Sequence, residues 1–150
     1  MDKKALKQEL YDVCLKLQSQ KIRQIEETMA EAQQSADEDD QSKDMYDATR
    51  MLILNKRDMY GQQLAIEVEQ METLHKLDIK ASHTQVEFGA LAITDDQRVF
   101  VAIGLGKVQL GDESYFVISP KVPFFHSIRG LKKGSTFEFR GKKSKILDVF

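Results

Sequence analysis

The chain has 150 residues, 41% of them hydrophobic, and a net charge of −2, which allows one ordinary core or a helical arm plus a small domain. The absence of a basic excess argues against a general nucleic-acid binder. The single cysteine, Cys14, excludes a disulfide framework and argues against cysteine-held zinc.

Composition divides the chain in two. All eight phenylalanines follow residue 87, both prolines follow residue 119, and Gly61 is the only glycine before residue 89. Residues 1–80 carry 17 acids and 12 bases, a balance of −5; residues 81–150 carry 7 acids and 10 bases, a balance of +3. The first part has nothing to break a long helix. The second has the β-formers and turn residues of a small sheet domain. The expected organisation is a helical hairpin over 1–77, a linker over 78–85 and a strand-rich domain over 86–150. The start is charged, and no run of about 18 apolar residues occurs. A soluble cytoplasmic protein, without a membrane partner, is expected.

Leu6, Leu10, Val13 and Leu17, then Ile22, Ile25, Met29 and Ala32, recur at three- and four-residue steps. They predict a helix over about 2–34 with one narrow apolar stripe, suited to a single partner helix. Met45, Ala48, Leu52, Met59 and Ile66 predict a second stripe on a helix over about 44–77, drifting toward Val68, Met71 and His75 on a neighbouring face, with Asn55 and Gln62 as polar intrusions in its seam. The short connection Ser35–Lys43 makes the two helices antiparallel. A parallel homodimeric coiled coil is the alternative, but Ser-Ala-Asp-Glu-Asp-Asp-Gln-Ser is a poor mid-helix sequence and favours the hairpin in a monomer. The connection holds the acidic cluster Asp37, Glu38, Asp39 and Asp40.

The second part predicts strands at 86–94, 99–103, 115–118, 136–139 and 145–150, with a further short one at 108–110. Turns are expected at 95–97, 111–112 and 140–143, and one or two helical turns within 124–131. The class is α+β. Of the adjacent Phe124 and Phe125, one is expected in the core and the other partly exposed. Lys132, Lys133, Lys142, Lys143 and Lys145 form a basic end, adequately explained by solubility. His75, His83 and His126 lack metal-ligand spacing, and Gly104-Leu-Gly106-Lys107 is too short for a phosphate loop.

A long antiparallel hairpin with an acidic tip, followed by such a domain, resembles the bacterial Gre-type transcript-cleavage factors. Phe88-Gly89-Ala90, the loop Ile118-Ser119-Pro120-Lys-Val-Pro123, the segment Ile128-Arg-Gly130-Leu-Lys-Lys-Gly134 and the closing Ile146-Leu-Asp-Val are similar to that family's C-terminal motifs. Tyr46, Ala48 and Arg50 resemble its Tyr-x-Ala-x-basic stretch. Counting back from Tyr46, Asp39 falls on the family's tip aspartate, and Ser42 stands where its tip glutamate would be.

The resemblance implies an FKBP-like fold for the C-terminal domain. It implies a partner, bacterial RNA polymerase, whose secondary channel takes the hairpin and whose rim meets Ser119 and Pro120. It also implies an accessory factor rather than an enzyme. Asp39 and Asp40 would act in the polymerase site, and Asp37, Glu38, Asp39 and Asp40 would share Mg²⁺ with the polymerase to cleave a backtracked transcript. The nascent RNA 3′ end would be met only indirectly, and the free protein would hold no cofactor. Two rival functions stay open: a cleavage-deficient regulator that occludes or tunes the channel, and a prolyl isomerase or chaperone on the FKBP-like fold.

Overall fold

The computed structural model describes residues 2–38 and 43–150; the side chains of 35–38, 43–47 and 49 lie outside the described residues. Two long helices, α1 (Lys3–Glu38) and α2 (Lys43–His75), precede six strands and one short helix. The chain condenses into two compact units, Met1–Leu15 with Glu72–Phe150, and Lys16–Met71.

In the Lys16–Met71 unit the helices run antiparallel. Gln18 donates from Nε2 to both the carbonyl and Oε2 of Glu67, at 2.9 and 2.8 Å, and Arg57 donates to Gln33 Oε1. Rising numbers on one helix therefore meet falling numbers on the other.

The seam differs from the apolar stripes expected. On α1 the inward row runs Lys7, Tyr11, Cys14, Gln18, Lys21, Ile25, Thr28, Ala32, in alternating steps of four and three. On α2 it runs Ile53, Arg57, Tyr60, Leu64, Glu67, Met71, Leu74 with the same alternation. The expected α2 stripe points outward: Leu52, Met59 and Ile66 are 57, 55 and 57% exposed. Asn55 and Gln62 are also exposed, so they are not seam residues. Along the first half of α1 the inward row sits one residue beyond Leu6, Val13 and Leu17, while Leu10 of the expected stripe is fully buried. The physical reason is polar complementarity. Buried Gln18 and Glu67 satisfy one another, and Lys21 pairs with Glu67 at 3.3 Å. A row containing such pairs can be buried without the penalty of unmatched polar groups.

The other unit is built on a mixed six-stranded sheet. Its strands are β1 (Leu91–Thr94), β2 (Arg98–Val101), β3 (Gly106–Leu110), β4 (Glu113–Ile118), β5 (Thr136–Phe139) and β6 (Lys142–Val149), in the order β3-β4-β2-β1-β6-β5. The β2–β4 pair is parallel and the others antiparallel. Helix α3 (Pro123–Ile128) starts with proline, whose missing N–H costs nothing in a first turn. Val86, Ala90, Ala92, Val99, Val101, Phe125, Ile128, Ile146 and Val149 form a core cluster. Strand alternation sends Leu91 and Phe100, both fully buried, to the opposite face.

The strand expected over 86–94 is confined to Leu91–Thr94. Ahead of it, Gly89 has φ +91°, and a Cβ there would lie 3.2 Å from His83 Nε2. The chain turns at the glycine rather than extending through it. Phe125 is buried, whereas half-buried Phe124 meets Phe137 and Phe139 edge-on, at centroid distances of 5.9 and 5.1 Å. Among the described residues no helix is long and apolar enough to cross a membrane.

Candidate functional site

The loop between β4 and α3 presents Ser119 and Pro120. Ser119 closes a local turn: its Oγ accepts from Lys121 N at 3.2 Å and its carbonyl from Val122 N at 3.3 Å. This is short-range serine turn chemistry. It fixes the direction of Pro120, which lines a cavity of about 380 Å³ with Gln85, Val86, Glu87, Phe88, Phe125, Arg129 and Gly130. The Ser-Pro loop is thus joined to residues that the sequence reading did not connect with it.

Two charges flank the apolar wall of that cavity. Arg129 is the first residue after α3, and its guanidinium is exposed, with no hydrogen-bond or ion partner among the described residues. Glu87 is held by His83, whose Nδ1 lies 2.7 Å from Glu87 Oε1, and by Gln85 Nε2 at 3.2 Å. The hydrogen bond with His83, then that from Gln85, draws the Glu87 carboxyl below its ordinary range. His83 itself is only 10% exposed through its side chain, and its Nε2 is buried without a partner among the described residues.

His83, which has no metal-ligand spacing, instead orients a carboxylate at the cavity. The signal available in the sequence was the four-residue spacing between His83 and Glu87, which outside a helix does not by itself bring two side chains together. An apolar groove between a free guanidinium and an oriented carboxylate can hold an extended or helical protein segment and fix its direction by charge.

The acidic cluster is divided by what the structure describes. Asp37 and Glu38 are the last residues of α1, with their side chains outside the described residues; Asp39, Asp40 and Ser42 lie outside them entirely. No group of three metal-ligating side chains occurs among the described residues. At the basic end, Lys142 pairs with Asp96 at 2.8 Å. Cys14 is fully buried, and burial pushes its thiol up to about 12, which makes it an inert packing residue.

No family model and no curated protein matches the chain. One solved structure, titled "Structure of the transcription factor Gfh1", aligns with 90% of this chain and 92% of that one, at 14% identity and a TM-score of 0.34. That likeness is too loose to assign a fold or a function.

Proposed function

We propose that this protein is a Gre-type regulator that binds RNA polymerase through the secondary channel. The observation carrying the reading is the antiparallel pairing of α1 and α2 through Gln18–Glu67 and Gln33–Arg57. In such a pair, the connection between the helices is the place where a carboxylate cluster can be carried into a pore. Here Asp37 and Glu38 end α1, and Asp39 and Asp40 follow them in the connecting sequence.

The Pro120 cavity supplies the second contact. Ser119, Pro120, Phe88 and Arg129 would meet the rim, with Arg129 taking an acidic side chain of the polymerase. Arginine suits this role because its planar fork matches a carboxylate.

A set of four carboxylates and no softer ligand fits Mg²⁺, which favours oxygen donors and requires only one or two carboxylates beside phosphate oxygens. A second Mg²⁺ at a phosphodiester supplies charge stabilisation for hydrolysis. This chain's part would be to present Asp39 and Asp40, with Asp37 and Glu38 as neighbours. Ser42, where the family has its tip glutamate, favours a second reading of the same binding mode: a regulator that occupies the channel without promoting cleavage.

A stalled polymerase complex with labelled transcript, with and without the protein, separates the two. Shortening of the transcript that disappears in Asp39→Ala/Asp40→Ala supports metal delivery. Altered extension without shortening supports occupation of the channel. A complex whose cleavage and extension are both unchanged at saturating protein contradicts the proposal.

A further inference from the structure

A cavity far in sequence from the Ser-Pro loop gathers more lysines than acids. It has a volume of about 280 Å³ and is lined by Asp2, Lys3, Lys4, Lys7, Ile79, Lys80, Ala81, Ser82 and Phe150. Four lysines and one aspartate face it, all within one compact unit.

Lys7 sets this cavity apart from a surface patch. The residue is 3% exposed. Its ammonium makes one hydrogen bond, a long 3.4 Å contact to the Ala81 carbonyl, and no salt bridge among the described residues. An ammonium has three donors, so two are left facing the cavity with no acceptor from the described residues. Buried charges are ordinarily paired.

The acids nearby do not meet this need. Asp2 Oδ1 is engaged as the cap of α1, accepting from Lys4 N at 3.3 Å. Asp148 is taken by Lys3 at 2.7 Å. Asp78 acts on Lys7 only through space, and burial outweighs it, drawing the ammonium below its ordinary value. Meanwhile Ile79, Ala81 and Phe150 give the cavity an apolar wall.

We propose that this cavity is a binding site for a small phosphate monoester. The phosphate oxygens would pair with Lys7, with Lys4 and Lys80 around them, and the organic group would rest on Ile79, Ala81 and Phe150. Charge-assisted bonds to a dianion in a partly buried setting are among the stronger hydrogen bonds. The size admits a compact group beside the phosphate rather than a polymer. The proposal is independent of polymerase binding.

The test is an amide NMR titration of the full chain with glycerol phosphate and, separately, inorganic phosphate at constant ionic strength. Saturable shifts at residues 2–7 and 79–82 are expected, with glycerol phosphate binding at least as tightly as inorganic phosphate. Lys7→Met keeps the length and the packing of the stem, and should weaken binding at least tenfold. Lys80→Met alters an exposed residue, so it tests the site without risk to the fold, and it should weaken binding measurably. Shifts that do not saturate, shifts centred on the lysines of β6, tighter inorganic phosphate, or equal affinity in both variants would overturn the proposal.

Discussion

At the residue scale, the sheet is held by a few side chains whose roles depend on conformation. Gly89 combines a left-handed backbone with close approach of the His83 ring. Gly89→Ala should destabilise the protein by about 1–2 kcal/mol for the backbone alone, with more from the contact to Nε2. Denaturant unfolding measures this, and an unchanged midpoint would show that the turn relaxes freely. The motif Phe88-Gly89-Ala90 was visible in the sequence, but its meaning was not. A run of β-formers suggested a continuous strand, whereas the left-handed backbone at Gly89, packed close to His83, turns the chain.

Asp96 shows how one carboxylate joins separate strands. It accepts from Thr94 Oγ1 at 2.8 Å and from Ser144 Oγ at 3.4 Å, and pairs with Lys142 at 2.8 Å. The hydrogen bond from Lys142, followed by that from Thr94, holds its carboxyl below the ordinary value of 3.8. A lowered folded value means that the stabilisation is present above the unfolded value and is lost as pH falls through the folded one. Stability should therefore decline on acidification below about pH 4. Asp96→Asn should flatten that part of the curve of unfolding free energy against pH. An identical acid limb in wild type and variant would remove Asp96 from the account. The pairing of residues 94–96 with 142–144 was beyond sequence reasoning, because it joins positions almost fifty residues apart.

At the scale of elements, the two helices were legible and their contact was not. Freedom from proline and near-freedom from glycine, with three- and four-residue spacing, marked both helices to within a few residues at each described end. Leu10 and Ile25 of the expected α1 stripe are buried, but the choice of inward face failed elsewhere because it counted apolar side chains alone. The inward row carries Gln18, Lys21 and Glu67, polar groups that serve one another, and Arg57, which donates to Gln33 beside the row. The contrast gives a direct test. Leu74→Ala, at a fully buried position, should cost about 2–5 kcal/mol. Leu52→Gln, Met59→Gln or Ile66→Gln, on the outward row, should each change stability by no more than about 0.5 kcal/mol. Chemical denaturation of the four variants decides between the seams, and the reverse ranking would restore the apolar stripe.

At the scale of the whole molecule, sequence division, helix pairing and the Pro120 cavity converge on one account. The acidic connection follows a long helix that pairs with its successor, and the groove with Arg129 and Glu87 is where the proposal places a second contact. Ser119 and Pro120 were singled out by the resemblance, and the structure shows their loop to be a local turn. Arg129, Glu87 and His83 could not, since only the fold brings residues 83–88 beside 120–130. The account's centre is that the segment between α1 and α2 enters the polymerase. A photo-crosslinking residue in place of Gln41, in the full-length protein mixed with purified bacterial RNA polymerase, reads this directly. The account predicts cross-links to the polymerase subunits that line the secondary channel and active centre. No cross-link at saturating protein, or cross-links only to the outer surface, would contradict it.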